Sequence, residues 1–323
     1  MKKVVALAIA GIVFSTSSLA LAAEPESESG IKLSGDVTVK YEKDTKDGEA
    51  NASGTMSSLR LTGEAALGSG WSVFARLGAQ YATNPALADY NTDGSVYGDK
   101  KTVMTLDQFG VTKQAGDLAF KLGRQDLTIG ATSLLYSRSE SNIGKRAFVD
   151  GVTVNGSTAG LDINAAFVQE DNAGDEDNRI YAIRTGFHPN KQLQWGMTLG
   201  RYQDRVNGNT NHWALDSSYQ QGKHTWTAEY TQSNRSEDNR AYAVTWNYGF
   251  DDKTSMYITA FKVETNGDMG KQSDFDNNNK GFYYGVKHQL NKDNSLELVY
   301  KDQKEVDSGL KNTKLEATFT HSI

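Results

Sequence analysis

The side chains able to do chemistry in this 323-residue chain are mostly fixed charges set within alternating segments: Arg60, Arg76, Lys121 and Arg184, with Glu64, Glu229 and Glu297. Catalytic groups are scarce. His188 sits at a turn, His212 and His224 near segment starts, and His288 and His321 towards segment ends. None has the His-x-x-x-His or His–Glu spacing of a zinc site. No cysteine is present, which removes thiolate nucleophiles, disulfides, cysteine-ligated metals and lipidated cysteines. Gly156–Gly160 reads GSTAG rather than G-x-S-x-G and falls in a turn, not at a nucleophile elbow. Asp274–Asn279 (DFDNNN) opens like a calcium loop but lacks Gly at the sixth position and Glu at the twelfth. With Asp171–Asn178 it reads as a solvated loop tip, divalent-cation bridging being its second use. No cofactor, metal or enzymatic activity is expected; a Ser–His dyad assembled across strands is the remaining catalytic alternative. The work left to the charges is electrostatic.

The elements that must hold these charges have period two. In Trp71–Tyr81, Trp71, Val73, Ala75, Leu77, Ala79 and Tyr81 alternate against a parity carrying Phe74, Arg76 and Gln80. Leu59–Leu67 sets Leu59, Leu61, Ala65 and Leu67 against Arg60, Thr62 and Glu64. Sixteen such runs start near residues 31, 55, 71, 103, 118, 146, 161, 179, 193, 211, 224, 239, 255, 280, 295 and 313. Around 103–113 and 255–264 both faces carry apolar residues, so the register there is ambiguous.

Connections alternate in length. Short ones such as Gly68-Ser69-Gly70, Ala115-Gly116-Asp117 and Gln221-Gly222-Lys223 are separated by mostly longer polar ones such as Ala82–Thr102 and Thr265–Asn279. An up-and-down antiparallel barrel with tight turns at one rim and loops at the other predicts this pattern, whereas a soluble sandwich does not. Four of the five tryptophans agree: Trp71, Trp195, Trp226 and Trp246 fall towards the short-turn rim, as an interfacial girdle requires, and Trp213 belongs to the opposite rim.

Charge cost decides which face is wet. A Lys or Arg on a lipid face at mid-membrane costs about 2–4 kcal/mol. The parity of Arg60, Arg76, Lys121 and Arg184 must therefore meet water, and sixteen strands are too many for side chains to fill the interior. The expected fold is an all-β transmembrane antiparallel barrel of about 16 strands over 31–323 around an aqueous channel.

The chain begins as an exported protein does. Lys2 and Lys3 precede the apolar run Val4–Phe14, and Ala20-Leu21-Ala22 gives an A-x-A cleavage site, so 1–22 is expected to be a signal peptide cut near Ala22. The following 23–30 is acidic and is expected to be a flexible stub. Formal charge is −6, and −8 without the two leading lysines, which disfavours nucleic acid as a partner.

On these residues the chain resembles the Gram-negative outer-membrane porins of the general-diffusion type. The likeness covers the mature chain in architecture and is strongest at Phe109–Gln125 (FGVTKQAGDLAFKLGRQ), a strand–tight turn–strand ending in Gly-Arg-Gln. The resemblance implies that Asp126–Asp150 is a third loop folded into the lumen, that the barrel is a homotrimer in outer-membrane lipid and lipopolysaccharide, and that barrel-assembly machinery inserts it. Members usually end in an aromatic residue; this chain ends in Ile323.

An inward third loop would bring Glu140 and Asp126 against wall cations from Arg60, Arg76, Lys121, Arg124 and Arg184, making a transverse field at the narrowest point. Parity from Leu118, Phe120 and Leu122 aims Arg124 at lipid. A bulge at Gly123 is expected to turn it inward, the alternative being a position near the rim. The expected function is passive diffusion of small hydrophilic solutes and ions through the outer membrane. The alternatives are a channel selective for sugars or anions, with Phe74 and Tyr202 as a stacking track, and a non-conducting adhesin or structural barrel, for which the loops are short.

Overall fold

The computed structural model describes residues 30–87, 100–172 and 177–323. The expected signal peptide and residues 23–29 of the stub lie outside them. Among the described residues, eighteen strands follow one another along the chain. They are β1 (Ile31–Lys46), β2 (Ala52–Gly68), β3 (Trp71–Ala82), β4 (Thr102–Ala115), β5 (Leu118–Gln125), β6 (Leu127–Ile129), β7 (Tyr136–Arg138), β8 (Val149–Thr158) and β9 (Leu161–Glu170). The second half continues with β10 (Arg179–Asn190), β11 (Leu193–Gln203), β12 (Thr210–Gln221), β13 (His224–Ser233), β14 (Arg240–Gly249), β15 (Thr254–Val263), β16 (Asn279–Gln289), β17 (Asn294–Glu305) and β18 (Lys311–Ser322).

Sixteen of them close into one antiparallel barrel, in which each strand pairs with its barrel neighbours in sequence and β1 closes on β18. Closure removes every open edge, so the wall's backbone groups pair within the wall. The short β6 and β7 pair only with each other, inside the third loop. The sixteen expected starts each fall within a few residues of a barrel strand.

Side chains sort by parity, as the cost of charge in lipid requires. On β3, Trp71, Ala75 and Tyr81 are exposed on the outside while Phe74, Arg76 and Gln80 are buried inside. Outer positions elsewhere carry Leu122, Phe167, Leu199 and Leu298, all exposed apolar residues. Trp71, Trp195 and Trp226 are exposed on this outer face, and Trp246 pairs with Trp226 across β13 and β14.

The two ambiguous stretches have different explanations. In β4 the pairing with β3 runs Arg76↔Gln108 and then Leu77↔Leu106, so Asp107 is an extra residue that flips the parity midway. Leu106 and Phe109 can then both face outward while Val103, Asp107 and Gln108 face in. In β15 the parity never slips. Its inner residues Phe261 and Val263 are apolar because something inside the barrel covers them.

The cover comes from two inward-folded connections. Residues 126–148, between β5 and β8, carry the fully buried Leu134, Leu135, Tyr136, Ile143 and Phe148. Residues 264–278, between β15 and β16, also turn inward, burying Met269 and Phe275. The stretch Asp274–Asn279, expected as a solvated tip, is therefore folded into the barrel mouth. Apolar inner-wall positions make burying these residues favourable, at about 1.5–3 kcal/mol for each large side chain.

Candidate functional site: a charged recess beside the third loop

Five expected site residues meet on one side of the lumen. A recess of about 580 Å3 lies between the third loop and the inner faces of β1 to β5 and β18, lined by Lys32, Asp36, Glu64, Phe74, Lys121 and Glu140 among others. Arg60, Arg76 and Asp126 also border it.

Strand parity brings Arg60 inward from β2, where it is clamped by Asp36 of β1. Its Nε donates to Asp36 Oδ2 at 2.9 Å and its Nη2 to Asp36 Oδ1 at 2.6 Å. The remaining Nη1 reaches the loop carbonyl of Ser141 at 2.7 Å. Arg76 repeats the arrangement one strand on. Its Nε and Nη2 donate to the two Asp107 oxygens at 2.8 and 2.9 Å, and Nη1 and Nη2 donate to the carbonyls of Glu140 and Asn142 at 2.6 and 2.8 Å. The guanidinium carbon also lies 4.7 Å from the centre of the Phe148 ring. Two bidentate pairs thus aim their spare donors at three consecutive loop carbonyls.

Gly78 makes this possible: a Cβ there would strike the Asp107 carboxylate and the Ile143 side chain. Asp107 and Asp36 were not expected at the site. The parity flip at 103–113 was the available signal for Asp107, because a bulged residue is re-aimed relative to its neighbours.

Lys121 is held differently. Its ammonium bonds Asp126 Oδ1 at 3.1 Å and sits 4.8 Å from the Phe74 ring centre. Glu140 presents its side chain to the recess. Partial desolvation and the nearby Asp126 charge raise its carboxyl above the ordinary value, opposed by Arg60, Arg76 and Lys121. Basic and acidic groups therefore do share the recess.

Two expected residues do not join it. Arg184 is buried against β12, donating to both Asp216 oxygens at 2.8 and 2.7 Å. For Arg124 the bulge at Gly123 is absent. Gly123 takes φ +132°, yet pairing with β4 and β8 stays in step from Leu118 to Arg124. Arg124 consequently keeps the outward parity at the loop end of β5. There it donates to Asp150 at 3.0 and 2.6 Å, to Asp171 at 2.7 Å and to the Lys145 carbonyl at 2.8 Å. Local carboxylates satisfy it where the sheet ends, so no inward turn is needed. Tyr202 is also packed away, its hydroxyl donating to Glu170 at 2.9 Å, which leaves Phe74 without a partner for an aromatic track.

The far end of the loop is fixed too. Thr132 donates through its amide at 2.7 Å and its hydroxyl at 2.9 Å to Glu229 of β13. The molecule is thus a sixteen-stranded closed wall with a loop pinned across its lumen. Sequence comparison agrees with that architecture: the Gram-negative porin family profile matches residues 5–308.

The chain belongs to the Gram-negative porins.

Solved structures with the same fold include a triple mutant of the Rhodopseudomonas blastica porin, at 12% identity and TM-score 0.59, covering 91% of this chain and 100% of that one. Salmonella typhi OmpF, in a complex with daunomycin, aligns at 12% identity and TM-score 0.61 over 91% of this chain and 97% of its own. A loop-deletion mutant of OmpT from Vibrio cholerae aligns at 12% identity and TM-score 0.59, over 90% and 99%. No curated protein sequence matches the chain. The porin is an outer-membrane channel, and its strands, not helices, cross the bilayer.

Proposed function

We propose that this porin passes small hydrophilic solutes and ions by diffusion, without catalysis, and that the recess beside the third loop is its constriction. The observation that carries this reading is the double anchorage of the loop by Arg60 and Arg76 through the carbonyls of 140–142. Both arginines are neutralised by aspartates behind them, so their work is to hold the loop. The charges left to act on a passing solute are Lys32, Glu64 and Glu140, together with the Lys121–Asp126 pair that faces the recess. A mixed set of this kind orients dipolar solutes and discriminates weakly by sign. Export after cleavage near Ala22, insertion by barrel-assembly machinery, a homotrimeric state in lipopolysaccharide-containing membrane, and the girdle role of Trp71, Trp195, Trp226 and Trp246 belong to the same proposal.

Reversal potentials under a salt gradient test it. Lys121→Ala should move selectivity towards cations and Glu140→Gln towards anions, each changing the permeability ratio by about twofold in low salt, where screening is weakest. Identical potentials for both variants and the parent would remove the recess from the permeation path.

A further inference from the structure

The inner wall of the barrel is not uniform. On β1, β17 and β18 it is charged and paired: Lys40 lies 3.1 Å from Glu42 on the same strand, and across strands Lys314 lies 3.4 Å from Glu42 and Lys301 3.0 Å from Glu316. From β9 to β15 the inner wall holds charge lower down, at Arg184, Asp216 and Glu229, while its positions towards the loops include Ala166, Ile180, Ala182, Ala214, Ala241 and Phe261, all buried. An apolar wall facing a water-filled lumen would lose the free energy that burial supplies. Its presence calls for a cover, and the third loop supplies only part of it.

The rest comes from 264–278. Leaving β15, this segment crosses β14, where a Cβ on Gly267 would meet the Arg240 carbonyl, and passes β13, where the Thr231 hydroxyl donates to the Gly267 carbonyl at 3.4 Å. It then reaches β11, where Gly270 takes φ +64° directly over the Tyr202 ring, leaving no room for a Cβ. Met269 is thereby buried in one cluster with Leu135 of the third loop, Ala182 and Ala214. On its return the segment stacks Phe275 at 4.9 Å from Phe261 and 5.6 Å from Tyr283, and Leu134 of the third loop joins that cluster.

Main-chain bonds lock the two connections together. Met269 N donates to the Leu135 carbonyl at 2.8 Å, Ser137 N to the Gln272 carbonyl at 2.5 Å, and Asp274 N to the Ser133 carbonyl at 3.2 Å. The segment is tied to β17 as well, through Gln303 to Asp276 and through Val306 N to the Asn278 carbonyl at 2.8 Å.

We propose that residues 264–278 are a second permeability-determining element of this porin, a strap that with the third loop closes the lumen over β9 to β15 and confines permeation to the charged side lined by β17, β18 and β1 to β5. Met269 and Phe275 are its anchors. The passage is then set by two connections rather than one, whichever charges in the recess determine sign selectivity.

Because the chain contains no cysteine, single introduced thiols report accessibility cleanly. Thr62→Cys places one in the recess; Ala214→Cys and Ala241→Cys place one beneath the strap and loop. With a hydrophilic methanethiosulfonate added to the reconstituted channel, the Thr62→Cys thiol should label and lower conductance. The two covered positions should label at least about tenfold more slowly, because a locally stable cover must open first. Replacing 266–277 by a two-glycine turn should expose both positions and raise single-channel conductance by about twofold or more, as a wider pore requires. If that deletion does not assemble, Met269→Asp combined with Phe275→Asp releases the strap by burying charge and is read the same way. Labelling of Ala214→Cys as fast as Thr62→Cys in the intact strap, or parental conductance without it, would overturn the proposal.

Discussion

Asp107 shows how one residue's placement fixes a function. Its carboxylate is 0% exposed and its partner Arg76 is 5% exposed. A buried charge of that kind is tolerable only when its partner and hydrogen bonds are complete, and here Nε, Nη1 and Nη2 of Arg76 each reach an acceptor. Asp107→Asn keeps the shape but leaves the guanidinium without its counter-charge. It should lower stability by about 3–5 kcal/mol in denaturant titrations and increase open-channel noise, because the same guanidinium holds the loop carbonyls. An unchanged unfolding midpoint would mean that Arg76 finds its compensation elsewhere. The wall cations were legible in the sequence because strand parity and the cost of charge in lipid leave them one side only. Their counter-ions were not: Asp107 becomes an inward residue only through the bulge, and the pairing of Asp36 with Arg60 needs the cross-strand register.

Among the elements, barrel strands and inserted connections were legible to different degrees. Strands such as β3 announce themselves because one face meets lipid and the other water, so alternation is unbroken. β15 did not, since its inner face packs against Phe275 and reads as apolar on both sides. Such a two-faced strand in an otherwise alternating barrel is the mark of a covering segment. The strap itself reads as an ordinary polar loop, with Met269 and Phe275 isolated among Asn, Asp and Lys, and only tertiary packing shows its role. Its Asp268 is buried, and burial pushes the carboxyl up to about 7 against the opposing effects of Ser273, Asn277 and Lys271. The packed strap therefore retains a proton that the released strap, with an ordinary carboxyl, gives up. The contribution of Asp268 to strap stability is lost as pH rises from about 4 towards 7 and is absent above it, while the anchorage by Met269 and Phe275 is unaffected. Labelling of Ala241→Cys, divided by that of Thr62→Cys at the same pH to cancel the thiols' own titration, should accordingly be faster at pH 8 than at pH 5, by about tenfold or more. Asp268→Asn should remove the dependence of this ratio; an equal ratio at both pH values would contradict it.

For the whole molecule, a mean hydropathy of −0.58 with 10% aromatic residues is what a wide barrel requires. Only alternate strand residues meet lipid, while lumen, turns and loops are wet, so low hydrophobicity accompanies a membrane protein here. The alternation of short and mostly longer connections pointed to an up-and-down barrel, and β1 closes on β18 in a wall of sixteen strands. What the wall alone could not reveal is how much of its interior stays open, because that depends on which inner faces are covered. In the proposed arrangement the charged inner wall of β17, β18 and β1 to β5 faces a wet side, and the wall opposite, apolar towards the loops, faces a packed side. The most direct test of an open, wet side is a planar-bilayer recording of the mature protein under a salt gradient. Stepwise, ohmic conductance increments with a measurable reversal potential are expected; a barrel that inserts and folds yet conducts nothing would contradict it.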